Sequence, residues 1–323
     1  MDLRITAPDP GNSTALFTVP YAAEDPGPGL IRIRHTAIDV NFIDIYHRSG
    51  LYPLPSPHVP GVAAAGVVEA VGVEVRGLHV GDRVVYGGHV GAYASTRLLP
   101  AQIAIRIPDG IRSLAAAASF FKGLTAHMLL IHLVHVESNT VLLVHAAAGG
   151  MGQTLTRWAK HLGATVIGVT GDNAKAEIAR AAGADHVIVG RNADLEREVA
   201  AITSGRGVDY AIDGIGGQTL ARTLGCVRKF GVVASIGRAA GPIPPLSMDA
   251  LGPARSLSLA CPSVMAYASD LSKYHDAALA VMNMIASGKV NVTVDRSFAL
   301  ADARSAHAML ESGQTAGSLL LIP

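Results

Sequence analysis

The sequence predicts an α/β protein of two domains, an irregular antiparallel β domain followed by a doubly wound domain built on a parallel sheet. Three observations carry this prediction. Between Leu30 and about Leu99, short apolar alternations are broken by Gly, Pro and Asp, the spacing of small antiparallel strands. From Thr140 onward strand-like and helix-like periods alternate, as in βαβ units. The first such unit carries "VHAAAGGMGQ", residues 144–153, where a strand gives way to a helix through small residues. At 323 residues, the chain is long enough for two domains.

In order, "LIRIRHTAIDV", "AAAGVVEAVG" and "GDRVVYGG" read as strands of the first domain, and "PDGIRSLAAAASFFKGLTAHMLLI" changes to a helical period. "TVLLVHA" is then a first parallel strand, "GQTLTRWAKHLG" a helix closed by Gly163, and "TVIGVTG" a second strand. "NAKAEIARAAG" is a helix closed by Gly183, and "HVIV" is a third strand. "GVDYAIDGIGG" and "KFGVVASIG" are later strands ending in glycine turns, and "SLSLAC" is an edge strand. The helix "SDLSKYHDAALAVMNMIASG", a strand, the helix "LADARSAHAMLESG" and the strand "SLLLIP" end the chain. This tail lacks a nucleotide turn and is assigned back to the first domain, giving boundaries of 1–121 with 265–323, and 122–264.

Composition narrows the function. Half the residues are hydrophobic, 16% are charged and the formal net charge is +1, so nothing resembles the basic stripe of a dedicated nucleic-acid binder. Cys226 and Cys261 have apolar flanks or lie at a strand end and are expected to be buried thiols; two cysteines write neither a disulfide framework nor a cysteine zinc set. His35, His47, His58, His79, His89 and His145 show no paired ligand spacing, so no metal is expected. The N-terminus lacks a signal pattern, and no segment is expected to reach the ~20 apolar residues of a membrane span. A soluble, cytoplasmic protein is expected.

The glycine turn implies a dinucleotide. A pyrophosphate must approach backbone N–H groups at a helix N-terminus, which excludes bulky side chains there. Counting back from Gly152, Gly149 takes the middle glycine position and Ala147 the first, an imperfect match in the required strand–turn–helix context. The second strand ends at Val169-Thr170-Gly171, with Asp172 just beyond and Lys175 three residues further. A contact from Lys175 to a ribose 2′-phosphate would favour NADPH by ~1.5–3 kcal/mol, with Asp172 opposing it if it faces the same site. Alternatively, Lys175 is a solvated helix residue.

"VNFIDIYHRSGLYPLPSPHVPGVAAAGVVEAVG", "GDRVVYG", "FFKGLTAHMLL", "VHAAAGGMGQ", "WAKHLGATVIGVTG", "AAGADHVI", "VDYAIDGIGG" and "GSLLLIP" follow one another in an order that resembles the zinc-independent quinone oxidoreductases, the zeta-crystallin-like branch of the medium-chain dehydrogenase/reductase superfamily. The resemblance runs from about residue 30 to the C-terminus. It implies a GroES-like catalytic domain and a Rossmann domain, with NADPH and a quinone or enone acceptor in the cleft between them and hydride transfer without a metal. Zinc-dependent relatives need a cysteine near Val40 and Asn41.

The resemblance places Asn41 beside the nicotinamide carboxamide, and Tyr46 and Tyr52 in the acceptor pocket. It places Thr125, Gly149, Gly150, Met151 and Gly152 around the pyrophosphate and neighbouring ribose, with Gly171 at the adenosine side and Lys175 at the 2′-phosphate. Gly237, Ser263 and Val264 pass along the nicotinamide half. Asn41 could instead cap the following helix, and Tyr46 and Tyr52 could be packed with their hydroxyls at the surface. A homodimer through the edge strand near "SLSLAC" is implied as well.

Three departures stand out. The family's Gly-x-Glu-x-x-Gly reads Gly61-Val62-Ala63-Ala64-Ala65-Gly66, so Ala63 replaces a glutamate. An aromatic residue usual after the third strand is Gly190, followed by Arg191, and an arginine expected near the last strand is Gly313. Arg191 is a substitute for one lost phosphate contact, since a guanidinium suits a phosphate, and NADPH binding weaker than usual for the family is expected. A quinone accepts hydride readily and its phenolate needs little acid help, whereas an enone would call on Tyr46 or water for a proton. The rivals are an enone or alkenal double-bond reductase, an alcohol dehydrogenase disfavoured by the missing zinc ligands, and a non-catalytic NADPH-holding or RNA-binding protein.

Overall fold

An N-terminal ribbon precedes the first strand expected from the sequence. In the computed structural model, which describes residues 1–323, β1 (Asp2–Thr6) pairs antiparallel with β2 (Phe17–Tyr21). The chain then forms two units, Met1–Leu124 with Met265–Pro323, and Thr125–Val264.

The first unit continues through β3 (Leu30–Val40), α1 (Phe42–Arg48), β4 (Ala63–Val71), β5 (Arg83–Gly87), β6 (Thr96–Pro100) and β7 (Ile105–Arg106). Alternation in β3 sends Ile31 and Ile33 into the core, both fully buried, while Arg34 faces solvent. β3 pairs antiparallel with both β4 and β6, and β4 pairs with β5. Gly66 permits the β3–β4 approach, because a Cβ there would lie 2.3 Å from the Arg34 carbonyl oxygen.

A long apolar helix, α2 (Ser113–His127), passes from one unit to the other and continues as a π-helical turn at Met128–Leu133. The crossing therefore falls at Leu124–Thr125, three residues beyond 121. The helix at 113–133 is long and apolar enough to span a membrane, which corrects the expectation that no segment reaches that length. Its apolarity has a different use: 78% of the qualifying window is buried inside the protein.

The second unit contains β8 (Val141–Val144), α3 (Gly150–His161), β9 (Thr165–Thr170), α4 (Asn173–Ala181), β10 (His186–Val189), α5 (Leu195–Ile202), β11 (Val208–Asp213), α6 (Thr219–Cys226), β12 (Val227–Ser235) and β13 (Ser258–Ala260). Its six strands are parallel and ordered β10-β9-β8-β11-β12-β13. The order reverses between β8 and β11, the crevice where open α/β sheets take ligands. Leu143 on β8 sits between Ile167 and Ala211 of its neighbours, and these join Val233 and Leu220 in one buried cluster.

The tail begins with α7 (Val264–Ser269) and α8 (Leu271–Ala286), separated by Asp270, whose carboxylate accepts from the Ser272 and Lys273 N–H groups and so starts the second helix. β14 (Val294–Ala299), α9 (Ala303–Glu311) and β15 (Ser318–Ile322) follow. β15 pairs antiparallel with β3 and parallel with β14, which joins the tail to the first unit's sheet. Cys226 is buried, but Cys261 is exposed, a correction: it follows the edge strand β13, where no further strand covers the chain.

Candidate functional site

In the second unit the turn after β8 is built from small residues for a steric reason. Ala146 has a left-handed φ of 50°, and its carbonyl accepts the Gly149 N–H at 2.9 Å. Gly149 is the extended N-cap of α3, and Gly150, Met151 and Gly152 form the helix's first turn, whose N–H groups have no intrahelical acceptor. A Cβ on Gly152 would lie 2.3 Å from the Ala146 oxygen and 2.6 Å from the Ala147 Cα. The cradle therefore exists only with glycine at 152, and its shape and polarity fit a pyrophosphate.

The corner after β9 separates its charges by function. The Asp172 carboxylate accepts the Lys175 N–H at 2.8 Å as the N-cap of α4. Its Oδ1 therefore caps the helix. Gly171 lies under Arg191: a Cβ on Gly171 would come within 3.6 Å of the Arg191 Nε. Arg191 is held by its backbone, because its carbonyl accepts from the Arg222 guanidinium at 3.2 Å and Arg222 also donates to the Ala193 carbonyl. Gly190, with φ 114°, donates its N–H to the Thr170 carbonyl at 2.9 Å.

Gly149, Gly171, Arg191, Gly237 and Ser263 follow the carboxyl ends of β8, β9, β10, β12 and β13, so they share one edge of the sheet. Gly237 is a forced glycine, since a Cβ would lie 2.5 Å from the Gly214 oxygen. Val264 opens α7, and Thr125 lies on α2 at the first residue of the unit. Sequence reading missed a polar knot on the same edge. The Thr223 hydroxyl lies 2.8 Å from His145 Nε2 and 3.1 Å from Asp213 Oδ2, and Asp213 Oδ1 accepts the Ile215 and Gly216 N–H groups at 2.7 and 3.0 Å. It ties the β8 turn to the β11 turn, and burial lowers the His145 pKa so that the ring stays neutral.

In the first unit, Asn41 takes the N-cap position of α1 through its backbone, whose N–H is received by Asp44 Oδ2 at 2.8 Å. Its side chain does other work. Asn41 Nδ2 donates to Asp39 Oδ2 at 3.0 Å, and Asn41 Oδ1 accepts from Lys122 Nζ at 3.2 Å. Lys122 also lies 2.8 and 2.6 Å from the two Asp39 oxygens, and the pair is buried. Burial raises the Asp39 pKa, while Lys122 and Asn41 pull it down. Tyr46 is buried and meets the half-exposed Tyr52 edge to face at 5.3 Å, so of the two rings only Tyr52 reaches solvent to any extent.

Behind Asn41 runs a second buried chain. Asp44 accepts from the Tyr93 hydroxyl at 3.1 Å, Tyr93 meets His307 Nε2 at 2.9 Å, and Arg48 donates to His307 Nδ1 at 3.1 Å while pairing with Glu311. Since Arg48 can only donate, His307 carries its proton on Nε2, and the bonds run in one direction towards Asp44. Burial, with a smaller contribution from Asp39, pushes Asp44 up to about 8. Asp39, Asp44 and Lys122 were not singled out from the sequence, because residues 39 and 122 meet only through the fold.

Known proteins match this architecture. The family model described as an alcohol dehydrogenase GroES-like domain matches residues 27–109, and that described as a zinc-binding dehydrogenase matches residues 150–296. A quinone oxidoreductase of Salmonella typhimurium is 41% identical over the whole of both chains. A 2-haloacrylate reductase of Burkholderia is 40% identical over 92% of each. The chain belongs to the quinone oxidoreductase family of the medium-chain dehydrogenase/reductase superfamily. The crystal structure of the Escherichia coli quinone oxidoreductase complexed with NADPH shares 39% identity and a TM-score of 0.95, covering 99% of this chain and 100% of that one.

No group of three or more His, Cys, Asp and Glu side chains is placed to hold a metal ion. Ala63, where the resemblance expects a glutamate, is buried in β4 and pairs with Gly87 of β5.

Proposed function

We propose that this chain is an NADPH-dependent quinone oxidoreductase that needs no metal. The observation that carries the reading is the corner after β9: Asp172 Oδ1 caps α4, Arg191 lies beside Gly171, and Lys175 follows in the first turn of the helix. Gly149, Gly150, Met151 and Gly152 hold the pyrophosphate with backbone N–H groups, and Thr125 contributes beside them. Gly171 lies beside Arg191 at the ribose, and Lys175 and Arg191 take the 2′-phosphate. Gly237, Ser263 and Val264 line the nicotinamide half. Asn41 anchors the reacting end, and Tyr46 and Tyr52 form an apolar wall for the acceptor. The units 1–124 with 265–323, and 125–264, are then the catalytic and cofactor domains.

When bound, NADPH supplies the hydride, so the protein's work is placement and exclusion of water. With a quinone acceptor, proton uptake from solvent completes the reduction. With an enone the enolate is more basic, and Tyr46 is the candidate proton donor. Enone reduction is the second reading, favoured by the similarity to a 2-haloacrylate reductase. Gly190 and Gly313 remove two side chains from the adenosine end, so NADPH binds less tightly than is usual in the family. A homodimer through the exposed edge of β13 and a cytoplasmic location complete the reading, the former tested by light scattering of the purified protein.

The deciding experiment measures NADPH and NADH oxidation with 1,4-benzoquinone, a polycyclic quinone, an α,β-unsaturated ketone and no acceptor. Quinone-dependent oxidation preferring NADPH is expected. Turnover with the enone alone would move the chain to the double-bond reductases, and NADPH binding without any turnover would favour the non-catalytic reading. Lys175→Ala and Arg191→Ala should each weaken NADPH roughly 10–100-fold, as loss of a charge-assisted bond worth about 1.5–3 kcal/mol requires, and leave NADH nearly unchanged.

A further inference from the structure

Lys122 and Asp39 form a buried ion pair whose third member is a neutral amide. Lys122 Nζ approaches Asp39 at 2.6 and 2.8 Å and Asn41 Oδ1 at 3.2 Å, and Asn41 Nδ2 answers Asp39 Oδ2 at 3.0 Å. The arrangement fixes which end of the amide is which. A flipped Asn41 would turn its NH2 towards an ammonium and its oxygen towards a carboxylate, two repulsive contacts in place of two attractive ones. The amide nitrogen carries two hydrogens; one serves the Asp39 carboxylate, and the other has only the Asp39 carbonyl at 3.4 Å, the outer limit of a bond. A cation on the carbonyl of an amide polarises its N–H bonds, and hydrogen bonds in a chain strengthen one another.

We propose that Lys122, fixed by Asp39, is a positioning residue that orients and polarises the Asn41 carboxamide so that its remaining N–H stabilises the oxyanion of the reduced acceptor. The inference rests on the reading that places Asn41 at the nicotinamide, where the hydride leaves, and Tyr46 and Tyr52 around the acceptor. In the reaction the acceptor receives a hydride, two electrons and one hydrogen nucleus, and becomes a hydroquinone monoanion or an enolate. A proton, from solvent for the hydroquinone anion and from Tyr46 for the enolate, then completes the neutral product, and oxidised cofactor remains. The negative charge exists between these two events, and a preorganised N–H donor acts on it there. Substrates whose reduced anion is more basic depend on it more.

The test compares wild type with Lys122→Met, Lys122→Arg and the double variant D39N/K122M, which removes both charges and so leaves no buried charge unpaired. The first readout needs no turnover. 4-Nitrophenol, whose phenolate is coloured, is titrated with pH in the presence of the protein and NADP⁺. Wild type should lower its pKa by about one unit, a tenfold gain in phenolate, and the double variant should not. The second readout is kcat/KM: the double variant should lose about tenfold more with the enone than with benzoquinone, with the NADPH Kd from fluorescence unchanged and partial rescue by Lys122→Arg. Equal loss with every acceptor, a loss confined to NADPH affinity, or nitrophenol that goes unbound or binds as neutral phenol in wild type would each overturn the proposal. Wild type without acceptor-dependent NADPH oxidation would instead defeat the underlying activity, and that result is read before any variant is made.

Discussion

At the scale of single residues, space and charge set the consequences of change. Gly152→Ala would drive a methyl into the Ala146 and Ala147 backbone, which cannot step aside as a side chain could. A cost of about 1–3 kcal/mol, the usual range for overpacking, and loss of detectable NADPH binding are expected, checked by thermal denaturation and cofactor fluorescence. The glycines at 149 and 152 were legible in the sequence because a turn is local: the strand, the small residues and the helix are contiguous. The role of Asp172 was not. Whether a carboxylate caps a helix depends on a rotation that composition does not encode, and the bond to the Lys175 N–H shows that this one does. Asp39 and Lys122 stayed hidden because 83 residues separate them.

At the scale of elements, helices are tied to their neighbours by few, buried polar contacts. Arg48 at the end of α1 is almost wholly buried and reaches Gly11, His307 and Glu311, which joins α1 to α9 across most of the chain's length. Arg48→Met should cost about 3–5 kcal/mol by stranding its partners, whereas Glu311→Gln, nearer the surface, should cost less than half of that; denaturant midpoints measure both. The parallel units were legible because each strand–helix pair repeats a period change closed by a glycine such as Gly163 or Gly183. The β1–β2 ribbon was not, since two five-residue strands, one holding Pro20, fall below any clear alternation.

At the scale of the whole molecule, buried ionisable groups shape the response to pH. Burial lowers His35 and His307 to about 3 and His47 and His89 to about 4, against an ordinary 6.5. Between about pH 4 and 6.5 the unfolded chain therefore binds more protons at these rings, and stability rises with pH. Asp44 has the opposite sign. Raised from 3.8 to about 8, it keeps a proton in the folded state that the unfolded chain has lost, so stability falls as pH rises towards 8. The groups facing it are Asp39, Lys122 and Tyr93, and the neutral His307 lies beyond Tyr93. Denaturant midpoints should peak near pH 6.5, and Asp44→Asn should abolish the decline on the alkaline side while leaving the acid limb in place. A wild-type midpoint that keeps climbing between pH 6.5 and 8 would refute this.

The backbone at Gly190 bears on how this cofactor site can evolve. Its φ of 114° lies where a side chain is strained, and its N–H is bonded to the end of β9. Replacing it with the aromatic residue that the family resemblance expects would therefore be resisted by the loop. The route back requires the loop to be reshaped first, which makes the loss of that ring a ratchet. Lineages that carry Gly190 should explore cofactor preference through Arg191 and Lys175 instead, and directed evolution starting from this chain should find its gains there.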